Sequence, residues 1–497
     1  MSNLETRIRT ALGSPLKSDT VINPMYELTE VLSAFGLKPE DTGGTIEFRG
    51  RDPIIASPLP LATMAAVGLM AKAVATACLW RDRTGEGQDL KVDVGKVLHR
   101  LCPFYDKKWE LLNGYPLGTP QDPTNPFMPS FMYRTRDDRW IQFVNIYPRT
   151  KTSALAFLAC NDDPRAIGEA IRRWDAFQLE EVANRAGLQA NVVRTVEEFL
   201  ATDQYQYLKD LPLIEIEKIG DSRPEAFSDS PRTPLDGVRA LGMGHVIAGS
   251  GMGRALAYHG ADVLNVWRPQ DFEMDLTYYT ANVGMRSCTL DISHGEAMTR
   301  FQSLVRDADV FFSNRRPGFL QASRTTADEL AAIRPGIVHV DMSLYGSKGP
   351  WANRTGFDQN AGGVSGVFAI EGTPETPRLT EVFVVNDYVM AWLGAVGAMV
   401  ALRRRAREGG SYRVRVCLVR LSLWLLHMGI FDKEYARSAA GKAAGHEYLP
   451  PDLFSAETPC GAYQGVTDQV HMSRTQGVYE VPLVPRGSSR AEWLPRR

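Results

Sequence analysis

Between Gly237 and Ser343 the chain alternates short apolar runs with helix-like segments, and this alternation restricts the fold more than any other feature. Gly237–Met243, Asp262–Trp267, Asp309–Phe312 and Ile337–Ser343 read as strands, with helices expected at Gly251–His259, Gly295–Arg306 and Ala327–Ile333. Strand–helix–strand units of this length give a parallel, doubly wound sheet. A ligand then binds outside the carboxyl ends of the strands, so the loops at those ends matter most.

The first such loop, Gly244 to Gly253, is glycine-rich. Its spacing, G-x-G-x-G, departs from the G-x-G-x-x-G of dinucleotide sites, and the second strand ends at Trp267-Arg268 where an NAD protein carries an acid for the ribose hydroxyls. An arginine there suits a phosphorylated ribose, as in NADP or the 3′-phospho-ADP end of coenzyme A. The bland alternative is glycines for a close strand-to-helix turn and Arg268 as a solvated charge. The third strand ends in another basic loop, Asn314-Arg315-Arg316. Placement at the same sheet edge favours phosphate binding over a solvated pair.

Glu381 to Gly410, EVFVVNDYVMAWLGAVGAMVALRRRAREGG, is the second informative stretch. A strand-like run is expected to end at Asn386-Asp387, and an apolar helix then leads to Arg403-Arg404-Arg405. Asp387 is thereby placed at a helix N-terminus, where free backbone N–H groups and the dipole favour an ionised acid. An earlier segment has the same order: an apolar helix over Pro60–Trp80, the basic exit RDRTGEGQ and a strand over Asp89–Val94. Lys91-Val92-Asp93-Val94 aligns with Arg413-Val414-Arg415-Val416 and Gly87 with Gly409, which sets Ala65 opposite Asp387. An internal repeat in which only the second copy keeps the acid is the expectation.

Between the copies, Phe127–Tyr133 and Trp140–Asn145 read as a hairpin, followed by helices at Lys151–Leu158, Pro164–Trp174, Ala176–Arg185 and Thr195–Leu200. This is expected to be a smaller α+β domain. Asp221–Pro234, rich in Pro, Ser and Asp, reads as a linker. The organisation is therefore an N-terminal extension over 1–59, a partial first copy over 60–220, a linker over 221–234, a Rossmann-like α/β domain over 235–430 and a C-terminal tail over 431–497.

Lys+Arg 56 against Asp+Glu 58 leaves a formal charge of −2, which gives no reason to expect nucleic acid or an anionic membrane as partner. Six scattered cysteines lack C-x-x-C spacing, which argues against a zinc site or a disulfide framework and fits a reducing, cytoplasmic setting. The apolar runs are read as shorter than the about 18–20 residues of a spanning helix. No metal site is expected.

Several of these segments resemble the class III CoA-transferases, the group of formyl-CoA and carnitine CoA-transferases and the 2-methylacyl-CoA racemases. They are GADVLNVWRP (260–269), GMRSCTLDIS (284–293), ADVFFSNRRPGFL (308–320), LYGSKGPWANRTGFD (344–358), VVNDY (384–388) and EGGSYRVRV (408–416). RTGEGQDLKVDV (83–94) and the small domain resemble the later part of the family's chain, so the two halves stand in reversed order. The resemblance implies a Rossmann-like CoA-binding domain and transfer of CoA from an acyl-CoA to a carboxylic acid. Asp387 would be the nucleophile, forming an aspartyl anhydride and then an aspartyl-CoA thioester. CoA contacts carried over are Val246, Ile247, Ala248, Arg268, Leu290, Ile292, Asn314, Arg315, Arg316 and Arg354. Coenzyme A enters as substrate, with no tightly bound cofactor, and the family's interlocked dimers make a homodimer the implied assembly. Ile247 stands where some transferases have a polar residue, Arg315 where an aromatic is common and Ala322 where another arginine is frequent. The racemase branch carries a histidine in the motif that here reads Gly356-Phe357-Asp358, which ranks racemase below transferase. A catalytically inactive CoA-binding protein is the third alternative.

Overall fold

The computed structural model describes residues 3–19, 22–101, 105–117 and 131–496. Residues 127–130 of the expected hairpin and Cys102 lie outside the described residues. The first long element, α1 (Leu61–Thr84), is longer than the sequence reading placed it. It is also apolar and long enough to cross a membrane, correcting the expectation of shorter apolar runs, yet its apolar window is entirely buried in the protein. A helix apolar on every side belongs in a core, and this one ends on Gly85 in the left-handed region.

The large sheet starts with β1 (Ile214–Gly220), followed in the chain by β2 (Arg239–Met243), α2 (Ala248–Ala257), β3 (Asp262–Trp267), β4 (Arg286–Thr289), β5 (Val310–Ser313) and β6 (Val338–Ser343). Then come α3 (Asp358–Ser365), α4 (Asn386–Glu408) and β7 (Ser411–Cys417). The spatial order is β4-β3-β2-β5-β6-β7-β1. Counting from β2, the six parallel strands stand 3-2-1-4-5-6, the doubly wound order. The chain direction reverses its winding between β2 and β5, so the crevice lies where their loops separate.

β1 was assigned by sequence to the unit before the linker, but it pairs antiparallel with β7 as the edge of this sheet. Its alternation explains this. Ile214 and Ile216 stand opposite Val416 and Val414, while Glu217 lies 3.2 Å from Arg415 on the other face. The linker segment after it has no regular structure but is held to α1, because Arg83 donates to the carbonyls of Ser228, Pro234 and Asp236.

α4 is buried along almost its whole length and packs on the sheet through small residues. A Cβ added at Gly397 would meet Val414 Cγ1 at 2.4 Å and Ile214 Cγ2 at 2.9 Å. α1 and α4 run side by side in the same direction, with Gly68 against Trp392, Thr76 against Met399 and Asp82 against Arg403. Both helices are followed by a strand and a further helix, Leu90–Asp93 with Val94–Val97 and β7 with Leu418–Met428.

The smaller unit has three antiparallel strands, Met132–Arg134, Trp140–Phe143 and Ala190–Val192, under helices that bury Ile141, Phe143, Ile167, Ile171 and Leu179. The tail is also structured. Leu453–Thr458 and Gly461–Val466 form a hairpin paired to Leu111–Leu112, and Val470–Met472 pairs with Leu90–Asp93. Asp468 anchors it by ion pairs to the buried Lys72 and Arg100.

The close approach at Gly397 yields a prediction. Gly397→Val should lower unfolding stability by about 1–3 kcal/mol, the usual cost of forcing extra carbons into a filled core. Denaturant midpoints of the two proteins measure this.

Candidate active site

The N-terminus of α4 carries the candidate nucleophile, but its backbone donors are spent elsewhere. Glu381–Val385 is a series of turns rather than the expected strand, with Val382, Val384 and Val385 buried and Phe383 at φ 66. Its extended pairing is lost because the N–H groups of Val385 and Asn386 donate to Asp358 Oδ2 at 2.8 and 3.1 Å. Asn386 Nδ2 adds a bond to Asp358 Oδ1 at 2.5 Å and reaches Ser422 Oγ at 3.2 Å. Asp358 opens α3, so one carboxylate caps the start of a different helix across space.

Asp387 is only 8 % exposed and receives no hydrogen bond among the described residues. Burial pushes its carboxyl well above the ordinary range, and the neighbouring Asp358 raises it further. Asp358 is itself pushed up to about 6 by burial, against the hydrogen bonds from Asn386 and Val385 that lower it. The helix terminus therefore does not favour ionised Asp387, as the sequence reading had it. It favours Asp358, and Asp387 titrates beside a like charge.

From the smaller unit, Tyr147 packs against Phe357 and the strand-end loops, and its hydroxyl is buried without a hydrogen-bond partner among the described residues. Asp387, Glu273, Asp271 and Arg315 all lie within electrostatic reach of it. Its ring sits 5.9 Å from Phe357, 5.9 Å from Phe272 and 6.3 Å from His245. Tyr147 thus bridges Phe357, the residue before Asp358, and His245 of the first strand-end loop.

Those loops are built from reciprocal side-chain bonds. The N–H groups of Gly244, His245 and Val246 donate in turn to Asn265 Oδ1 at 2.9 Å, Asn314 Oδ1 at 3.0 Å and Glu273 Oε2 at 2.7 Å. Three successive amides that would cradle a pyrophosphate are consumed. The glycines serve close packing instead, since a Cβ on Gly249 would lie 2.4 Å from Asn314 Oδ1. Asp271, buried between Arg268 at 2.6 Å and Arg315 at 2.5 Å, fixes both guanidiniums at the ends of β3 and β5. Burial alone would raise its carboxyl, but His245, Arg268 and Arg315 hold it far below the ordinary range.

The expected CoA residues divide accordingly. Arg268 and Arg315 converge on Asp271 and share the face of Phe319, at 4.7 and 5.6 Å. Asn314 clamps the β2 loop, and Arg316 is exposed beside it. Val246 and Leu290 are partly exposed, whereas Ile247, Ala248 and Ile292 are buried, their side chains turned into the core. Arg354 is tied to Glu181 of the smaller unit at 2.6 Å and stacks on Trp351. Sequence reasoning missed Asp358, Tyr147, Asp271, Glu273 and, from the tail, Arg486, which donates to the Asp271 carbonyl at 2.7 Å over the Trp267 ring. The aspartate of Gly356-Phe357-Asp358 was the available signal, read only for the histidine it lacks.

Because the folded protein holds Asp387 protonated at pH values where the unfolded chain has released that proton, stability contributed here falls as pH rises through the window above the ordinary carboxylate range. Asp387→Asn should therefore stabilise the protein at pH 7–8, by on the order of 1–2 kcal/mol, as removal of strained site groups commonly does. Thermal midpoints against pH test this, with the gain shrinking toward pH 4.

Residues 235–479 match the family model described as CoA-transferase family III. Acetyl-coenzyme A transferase nodX of Hypoxylon pulicicidum is 29% identical over 287 residues, covering 54% of this chain and 48% of that protein. The succinyl-CoA–L-malate CoA-transferase alpha subunit of Chloroflexus aurantiacus is 29% identical over 227 residues, 42% of this chain and 53% of that one. A crystal structure of a CAIB/BAIF family protein from Brucella suis is 24% identical with a TM-score of 0.36, covering 46% of this chain and 65% of that chain. The chain spans about half the length of the curated relatives it matches. The matched residues 235–479, similar to CoA-transferase family III, hold the six parallel strands of the large sheet and Asp387.

Proposed function

We propose that the protein transfers CoA from an acyl-CoA to a carboxylic acid with Asp387 as nucleophile. The observation that carries this reading is a buried carboxylate beside a second, hydrogen-bonded carboxylate, next to an arginine rim at the carboxyl ends of a doubly wound sheet. The names of its relatives, among them a succinate–glutarate CoA-transferase of Agrobacterium fabrum, pair CoA with small carboxylic acids and support the same substrate class.

Ionised Asp387 attacks the thioester carbonyl, the C–S bond breaks, and a mixed anhydride forms with release of CoA thiolate. The thiolate attacks the Asp387 carbonyl of the anhydride, expelling the donor carboxylate and leaving an aspartyl-CoA thioester. The acceptor carboxylate then displaces the thiolate to give a second anhydride, and thiolate attack on the acceptor's carbonyl returns free Asp387. Asp358 keeps Asp387 basic and hence nucleophilic once its proton leaves. The N–H groups of Val385 and Asn386 are occupied by Asp358, so Tyr147 takes the role of oxyanion donor that the helix start would otherwise fill. Arg268, Arg315, Arg316 and Arg486 form the phosphate rim. The smaller unit, which precedes the parallel strands in the chain, supplies Tyr147 to this site.

A panel of acyl-CoA donors with labelled carboxylic acids tests the assignment. Exchange of CoA into the labelled acid is expected for at least one pair, abolished in Asp387→Asn; exchange that survives this substitution overturns it. Tyr147→Phe should reduce kcat by about 10–100-fold while leaving KM for the thioester near its original value, as loss of a transition-state donor does. The rate should rise with pH along a limb above the ordinary carboxylate range. Asp358→Asn should move that limb to lower pH, because it removes the like charge that raises Asp387.

A further inference from the structure

The far ends of the two parallel helices form a second feature unrelated to the strand-end loops. α1 and α4 terminate side by side, and with the segment around Phe35 to Asp41 they enclose a cleft of about 660 Å³. Its lining includes Arg81, Arg403, Arg404 and Arg407 against Asp41 and Asp82, a formal excess of two positive charges. Each helix carboxyl end contributes about half a negative charge, which offsets part of this and leaves the cleft positive.

The partners are shared unevenly. Asp82 alone receives both Arg403, at 2.6 Å, and Arg407, at 3.0 Å. Among the described residues Arg81 donates to the carbonyl of Asp41, at 3.2 Å, and pairs with no carboxylate. Arg404 has no carboxylate within ion-pair distance among the described residues, although it is half-buried in the wall. A single arginine per helix end would complement the dipoles. Four arginines line the cleft and two of them share one carboxylate, and forked donors of this kind match phosphate oxygens.

We propose that this cleft binds a ligand through a diphosphate group, Arg81 and Arg404 supplying guanidiniums that no carboxylate engages among the described residues while Asp82 holds Arg403 and Arg407 in place. The site lies at the opposite end of α4 from Asp387. The 17 residues from Asp387 to Arg404, at 1.5 Å per residue, separate the two by roughly 25 Å, so the ligand is distinct from the reacting thioester.

Calorimetric titration of the full chain with inorganic pyrophosphate and with ADP, at low ionic strength, tests the proposal. Arg81→Gln and Arg404→Gln are each expected to weaken pyrophosphate binding by about tenfold, the weight of one charge-assisted bond, whereas Arg404→Lys loses less. Arg268→Gln, at the strand-end rim, removes any pyrophosphate held there and is expected to leave in place the binding that the cleft variants weaken. With the rim removed in Arg268→Gln, ADP binding more tightly than pyrophosphate assigns a nucleotide to the cleft, and equal affinity assigns the inorganic ion. Thermal midpoints unchanged in the variants exclude misfolding as the cause, and intact Arg404→Lys preserves the test if a glutamine variant unfolds. Absence of pyrophosphate binding, or binding lost in Arg268→Gln and kept in both cleft variants, overturns the proposal.

Discussion

The contact on which the site depends is the capping of the α4 N-terminus by Asp358. The first amides of a buried helix need acceptors, and here a carboxylate from another helix supplies them. Three consequences follow from that one bond set. The turn Glu381–Val385 is fixed, Asp358 stays partly ionised in a buried place, and Asp387 is left beside it without the donors its position would ordinarily provide.

The rest of the fold brings partners to this point. The winding reversal between β2 and β5 sets the β2 loop, pinned by Asn314, against Asp271 and its two arginines. The smaller unit, joined to α3 through Asn360 and Asn191 at 2.7 Å, delivers Tyr147. The tail, anchored at Asp468, delivers Arg486 to the same rim. Residues far apart in sequence converge because each is carried on an element whose packing is independently fixed.

Local patterning made the parallel sheet, α1, α4 and the position of Asp387 legible in sequence, since period and apolar content are properties of a single segment. Arg268 and Arg315 were legible as strand-end charges, but Asp271, which decides where they point, was not, because an acid three residues past an arginine looks like any surface pair. The edge strand β1 was assigned to the wrong side of the linker because antiparallel pairing with β7 is a long-range choice. The ownership of the Val385 and Asn386 amides was equally invisible. An N-terminal aspartate is the natural acceptor by local rules, and only the tertiary fold places Asp358 closer. Ile247, Ala248 and Ile292, carried over as CoA contacts, have side chains buried in the core.

The account stands on covalent participation of Asp387. Hydroxylamine trapping during turnover with a productive acyl-CoA, followed by mass spectrometry of the peptide spanning Asp387, tests this directly. A hydroxamate at Asp387, absent in Asp387→Asn and without acyl-CoA, is the predicted result. Turnover with no modification of Asp387, or a hydroxamate on Asp358 in its place, would contradict it.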